Sequence, residues 1–163
     1  MLIHSVDQGN RRGDDRLSDA YPVKFTPICK TRVWGREQWL VSAHPSGMSV
    51  VAGGPFRGLT LQQLTDIYPD RYLGRSPQNR FPLLIKWIEA DDDLSVQVHP
   101  GDGYALRTEG DYGKTEAWYI LQAGNSREMI YGHRFANEEE YRRALREGTV
   151  PQFLNRISIR EDD

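Results

Sequence analysis

Short strand-like segments, separated at close intervals by glycine and proline, most constrain the fold of this chain. Apolar or alternating residues recur in runs such as "WLVSAHPSGMSVVAGG", "FPLLIKWIEA", "GKTEAWYILQA" and "FLNRISIR". Runs of this length with turn residues between them are typical of β-sandwiches and β-barrels. The sequence contains no internal repeat and no glycine-rich phosphate-binding motif. It therefore predicts a mainly β fold.

Two segments have helical spacing instead. In "GLTLQQLTDIYPD" the leucines recur at helical intervals, Thr60 can cap the start, and Pro69 is expected to end the helix. In "ANEEEYRRALREGT", Asn137 is the expected N-cap, Glu140 is expected to complete a capping box, and Gly148 is expected to stop the helix. The expected architecture is thus a β fold with two short helices.

Length and composition limit the classes of protein that the chain can belong to. Its 163 residues suit one domain, with residues 1–20 as a polar, flexible leader and 21–163 as the folded part. A net charge of -2 gives no basic footprint for nucleic acid, and no apolar run is long enough to span a membrane. The single cysteine, Cys29, excludes an intrachain disulfide and favours a cytoplasmic location. We expect its side chain to be buried.

Two of the strand-like segments carry polar residues with a period of two. In "DLSVQVHP" this period puts Ser95, Gln97 and His99 on one face, and in "GKTEAWYILQA" it puts Lys114 and Glu116 on one face. If the two strands are close in a barrel, the glutamine, histidine and glutamate could converge as ligands of a divalent metal, with a position left for water or substrate. An ordinary half-exposed strand with hydrogen-bonded side chains explains the same spacing.

Four segments, taken in order, resemble a known family. "YPVKFTPICKTRVWG", "SAHPSGMSVVAGGPFRGLTLQQL", "FPLLIKWIEADDDLSVQVHP" and "GKTEAWYIL…MIYGH" are similar to the amino-terminal half of type I mannose-6-phosphate isomerases (phosphomannose isomerases). The resemblance implies a cupin-like jelly-roll barrel and one catalytic Zn²⁺ per chain. It also implies a reaction, the interconversion of mannose 6-phosphate and fructose 6-phosphate by proton transfer between C1 and C2 through an enediol(ate).

The resemblance implies roles for individual residues. The metal ligands that it implies are Gln97, His99 and Glu116. Lys114 is the implied catalytic residue, holding a substrate oxygen or assisting proton transfer, and Ser95 is a second implied substrate contact. Trp34, in "RVWG", is the implied wall of the substrate pocket.

The sequence also departs from the family. There, the segment that resembles "FLNRISIR" is followed by a strand with a G-T-x-H-A-type motif that brings a further histidine ligand, and this fourth ligand is not found here. We therefore expect a barrel that is incomplete at its C-terminal end, with exposed strand edges that would allow self-association. A non-catalytic sugar-phosphate-binding or regulatory cupin module is the alternative function, and a β-domain used only for assembly is a third.

Overall fold

The computed structural model describes residues 21–124 and 127–163, so the predicted leader lies outside the described residues. The described chain divides into two compact units, the first ending at Leu94 and the second beginning at Ser95. The strands of the first unit are β1 (Ile28–Arg32), β2 (Gly35–Val41), β3 (Ala43–His44), β4 (Gly47–Met48) and β5 (Ile85–Ala90), and its helices are α1 (Leu61–Ile67) and α2 (Pro69–Tyr72). The second unit contains α3 (Asp102–Thr108), β6 (Glu128–His133), α4 (Glu138–Glu147), a 3₁₀ turn (Val150–Phe153) and β7 (Leu154–Ser158). The predicted mainly β class is confirmed.

The first unit is organised around a three-stranded antiparallel sheet in the order β1-β2-β5. The hairpin between β1 and β2 closes where Arg32 pairs with Gly35. Gly35 has a φ of 141°, and a Cβ atom there would lie 2.1 Å from the carbonyl oxygen of Glu89 on β5. Only glycine allows this approach, which lets β5 pair along β2 from its first residue.

Trp39 of β2 is the centre of the packed core. The core of the first unit consists of Trp39, Ala43, Val51, Leu61 and Leu64. A Cβ at Gly47 would lie 2.8 Å from the Trp39 ring, so the hairpin of β3 and β4 packs on the indole because it carries glycine at that position. The Lys30 ammonium lies 3.7 Å from the ring centroid, a cation–π contact that covers the indole.

A buried carboxylate, that of Glu37, lies beside this tryptophan on the same strand. It is 5% exposed and accepts hydrogen bonds from Trp39 Nε1 (2.8 Å) and Arg32 (3.0 Å), and Lys86 Nζ lies 3.2 Å away. Burial raises the pKa of Glu37, but these hydrogen bonds and the charge of Lys86 outweigh it, so the pKa lies below its ordinary value. No local pattern in the sequence indicates this network.

Several local predictions are confirmed and others are wrong. Thr60 caps α1 in a capping box with Gln63, as its position indicated. Pro69 does follow α1, but it also begins α2, because proline is favourable at the first position of a helix. Asn137 caps α4 and Gly148 ends it with a φ of 69°.

Three expectations about faces and caps need correction. In a capping box the Glu140 carboxylate would accept the N–H of Asn137. It accepts instead the N–H of Ala136, the residue before Asn137, so the box is not completed. Cys29 is exposed, since it lies on the outward face of β1. The bulky apolar residues of "FPLLIKWIEA" predict a buried strand, but β5 is only half buried, with Trp87 46% exposed.

The second unit differs most from the expected strand pattern. Residues 93–100 and 113–120 form no strand, and β6 pairs with β7 rather than with the segment before it. Two further helices, α2 and α3, add to the two expected. In this unit the buried apolar residues are Ala105 and Ala144, while Val98 is 89% exposed. No helix among residues 21–124 and 127–163 is long and apolar enough to cross a membrane.

The buried carboxylate generates a stability prediction. Replacing Glu37 with glutamine should lower the free energy of unfolding at neutral pH by about 1–3 kcal/mol, because charge-assisted hydrogen bonds are lost. A carboxylate with a lowered folded pKa stabilises the fold above the unfolded pKa, and this stabilisation is lost as the pH falls through the folded pKa, which for Glu37 lies below the ordinary glutamate value. The variant should therefore lose less stability on acidification than the parent, as measured by urea denaturation at each pH.

Glu89→Gln is the matched control on the same sheet. Glu89 pairs with Arg36 in solvent, so its replacement should change the free energy of unfolding by less than about 1 kcal/mol. Equal losses in both variants, or an unchanged acid profile for Glu37→Gln, would show that the buried network is not stabilising.

Candidate metal centre

The candidate site is assembled in the second unit by a close crossing of two backbone segments. A Cβ at Gly113 would lie 2.6 Å from the backbone nitrogen of Asp102 and 2.6 Å from the carbonyl oxygen of Pro100. The N–H of Gly113 donates to the Asp102 carboxylate (2.8 Å), and the N–H of Lys114 reaches the Pro100 carbonyl (3.4 Å). These contacts bring the residues after Gly113 beside those before Asp102.

Three of the predicted residues meet at this crossing. Nε2 of His99 lies 3.3 Å from Oε2 of Glu116. The Lys114 ammonium pairs with Oε1 of the same carboxylate and lies 3.3 Å from His99 Nε2. All three side chains are partly exposed, at 25% for His99, 39% for Lys114 and 32% for Glu116. The result is a small charged cluster open to solvent on one side.

The structure gives the local setting of the other three predicted residues, Gln97, Ser95 and Trp34. Gln97 and Ser95 are exposed in the segment that precedes His99. Trp34 belongs to the first unit, where its carbonyl oxygen accepts the N–H of Asp91 (2.8 Å) in the β1–β2 turn. The roles predicted for Gln97, Ser95 and Trp34 stay predictions.

A small cavity adjoins the cluster. Its volume is about 340 Å³, within the range of pockets that hold small ligands. The residues that line it are His99, Pro100, Gly101, Asp102, Gly113, Lys114 and Thr115. An imidazole, an ammonium and backbone groups thus line a pocket that is open to solvent.

The separation of His99 Nε2 and Glu116 Oε2 can be compared with that of two ligands of one zinc ion. Zinc holds nitrogen and oxygen ligands at about 2.0–2.2 Å, so two tetrahedral ligand atoms are about 3.3–3.5 Å apart. The observed 3.3 Å between Nε2 and Oε2 matches that separation. Among the residues that the structure describes, no third histidine, cysteine, aspartate or glutamate completes a metal-binding group. Gln97, two residues before His99, is the remaining predicted donor.

Two residues that hold the site together were missed from the sequence. Asp102 accepts the Gly113 N–H, and Gly113 permits the close crossing. The glycine directly before "KTE" was the available signal, since glycine next to a polar motif often marks a close backbone approach. Two further histidines have local contacts of their own: the His133 ring lies against Phe135, and His44 Nδ1 accepts the N–H of Ser46.

The fold and this cluster define a class: a mainly β protein with a His–Lys–Glu cluster beside a small polar cavity. Residues 8–119 match the family described as "Phosphomannose isomerase type I, catalytic domain". The chain belongs to this family, as the sequence motifs predicted. The matched range begins at residue 8, so it includes part of the segment expected to be a leader.

Individual relatives agree with the family assignment. Mannose-6-phosphate isomerase ManA of Bacillus subtilis is 37% identical over 159 residues, with 87% of this chain and 50% of the relative covered. A mannose-6-phosphate isomerase of Streptococcus mutans is 42% identical over 127 residues, with 78% of this chain and 40% of the relative covered. The chain spans about half the length of the curated relatives that it matches.

A solved structure gives the fold comparison. The crystal structure of the Bacillus subtilis mannose 6-phosphate isomerase matches with a TM-score of 0.81 at 36% identity, covering 87% of this chain and 51% of that chain. The expected cupin-like class is confirmed, and the chain spans about half of this neighbour's length. The expected count of two helices is wrong, as the described residues contain four.

The backbone crossing generates a second prediction. Gly113→Ala should lower the free energy of unfolding by about 1–3 kcal/mol, because its Cβ cannot fit without moving the Pro100–Asp102 backbone. Gly103→Ala is the control, since its Cβ would meet only the flexible end of Arg107 at 4.0 Å inside α3. That change should stabilise by about 0.5–1 kcal/mol. Hydrogen exchange at the Lys114 amide should accelerate only in Gly113→Ala, and unaltered exchange there would contradict the crossing.

Proposed function

We propose that this protein is a metal-dependent aldose–ketose isomerase that interconverts mannose 6-phosphate and fructose 6-phosphate. The observation that carries the proposal is the His99–Lys114–Glu116 cluster beside its cavity, in a chain of the type I phosphomannose isomerase family. The names of the relatives support the same substrate pair.

One zinc ion per chain is the proposed cofactor. His99 and Glu116 would hold it, with Gln97 as a third protein ligand. Bound there, the metal would polarise the sugar carbonyl and stabilise the negative charge that develops on its oxygen. Imidazole and carboxylate ligands suit zinc, and the 3.3 Å spacing of the two ligand atoms supports this choice.

The chain's own residues would bind and orient the sugar. The reaction moves a proton from C2 to C1 and a second proton from the C2 hydroxyl to the former carbonyl oxygen, by way of an enediol(ate). The Lys114 ammonium, which lines the cavity, would donate hydrogen bonds to a hydroxyl or to the developing oxyanion. Ser95 would donate to the sugar or its phosphate, and Trp34 would form a wall of the pocket.

A sugar-phosphate-binding module without turnover is the second candidate. The observation that favours it is the size of the donor set, since the described residues contain no group of three acidic, histidine or cysteine ligands. Metal affinity depends strongly on the number and fixed geometry of ligands. Binding of mannose 6-phosphate without conversion would select this function.

The cellular setting is part of the proposal. A single free cysteine is the composition expected of a cytoplasmic protein, and the substrate is a small sugar phosphate rather than a nucleic acid or a membrane. Self-association through exposed strand edges is proposed from β6 and β7, which form a sheet of two strands, too small to bury both edges.

A zinc-binding experiment tests the site. The protein should retain one zinc per chain after dialysis against trace zinc, as measured by elemental analysis. His99→Ala should lower the zinc affinity by about 100-fold or more, because one of few ligands is removed. His133→Ala, a histidine outside the cluster, should retain the parent's affinity. Equal zinc binding by both histidine variants would exclude the proposed centre.

A turnover experiment tests the reaction. The zinc-loaded protein is mixed with mannose 6-phosphate in D₂O and followed by NMR. The expected result is fructose 6-phosphate with solvent deuterium at the carbon that receives the proton. Lys114→Met should lower kcat/KM by about 100-fold, the usual contribution of a group assisting proton transfer. Stoichiometric zinc with bound sugar and no product would identify the binding module instead.

A further inference from the structure

Lys114 makes two contacts with the atoms that a metal would use. Its ammonium pairs with Glu116 Oε1 and lies 3.3 Å from His99 Nε2, while Nε2 and Glu116 Oε2 are themselves 3.3 Å apart. The Lys114 ammonium therefore contacts the same imidazole and carboxylate whose separation suits two ligands of a divalent metal.

The two cations cannot share the imidazole nitrogen. A neutral histidine ring offers one acceptor nitrogen with a single lone pair, and an ammonium group is a donor only. If Nε2 accepts a hydrogen bond from Lys114, that lone pair is not available to a metal. Glu116 has two oxygens, but a divalent ion and an ammonium held on one carboxylate repel each other at short range.

We propose that Lys114 is an internal competitor for the metal: its ammonium holds His99 and Glu116 together and must turn away before a divalent cation can bind. The inference rests on the proposed function, because it assumes that His99 and Glu116 are metal ligands. It adds that the lysine assigned to the substrate opposes metal loading.

The side chain has the freedom that this exchange requires. Lys114 is 39% exposed, so its four-carbon stem can rotate at little cost. It also lines the cavity of about 340 Å³, so an ammonium released from the pair remains near the space proposed for the sugar phosphate. Metal binding would thus free the cation that contacts the substrate, and by linkage the sugar phosphate should tighten metal binding.

The test measures zinc affinity directly, by competition with a chromophoric chelator. Lys114→Met removes the competing charge and should bind zinc about tenfold more tightly than the parent, with a difference that shrinks as salt is added. Lys114→Arg keeps a cation that can pair with a carboxylate, so its affinity should stay within about twofold of the parent. Arg107→Met, which removes an exposed charge on α3, is the control for net charge and should also match the parent.

Each outcome bears on the inference. The competition is supported if Lys114→Met, and no other variant, binds zinc more tightly than the parent. It is also supported if Lys114→Met binds zinc and the parent binds none. In both cases, adding His99→Ala to Lys114→Met should abolish the increase in zinc binding. Equal or weaker binding by Lys114→Met overturns the competition and leaves the metal centre standing. If neither protein binds zinc, the metal centre itself fails and the competition fails with it.

Discussion

The close approach of Gly113 to the Pro100–Asp102 backbone is the contact on which the candidate site depends. Its Cα passes so near two backbone atoms that a Cβ atom would lie 2.6 Å from each of them, so any side chain would collide. The approach fixes Lys114 and Glu116 opposite His99 without a hydrogen-bonded strand pair. One aspartate completes it, because the Asp102 carboxylate accepts the Gly113 N–H at 2.8 Å. The chemistry of the cluster follows from this backbone geometry.

The two units stabilise themselves by different means. In the first, a buried tryptophan, a buried glutamate and the strands around them form a packed core, and the Glu37 carboxylate is compensated by Arg32 and Lys86. The second unit has small buried residues and many exposed apolar ones, and on its surface the Tyr119 hydroxyl donates a hydrogen bond to Asp162 (2.5 Å). That bond stabilises the neutral phenol and raises the pKa of Tyr119. The three side chains of the candidate cluster are partly exposed, so they have room to exchange partners.

The sequence predicted the identity of the cluster better than its construction. Both the alternating pattern and the family motifs indicate His99, Lys114 and Glu116. They are polar residues within an otherwise apolar alternation, and they belong to motifs of the family. Their contacts do not arise from paired strands as expected. An alternating pattern indicates an extended chain, but it does not show whether that chain forms hydrogen bonds with a neighbouring strand. Gly113 and Asp102 act through a tertiary crossing that no local period encodes. Glu37 was missed for a related reason. A charged residue in a strand is usually solvated, and the burial of Glu37 depends on strand pairing that brings Arg32 and Lys86 beside it.

The central claim is that the crossing builds a cation site from His99 and Glu116. A crystal structure of the protein soaked in zinc, with data collected at the zinc absorption edge, tests it most directly. The account predicts an anomalous peak within about 2.0–2.2 Å of His99 Nε2 and a Glu116 carboxylate oxygen, with the Lys114 ammonium turned toward the cavity. A peak at another residue such as His133, or zinc bound while Lys114 keeps its contact with His99, would contradict the account.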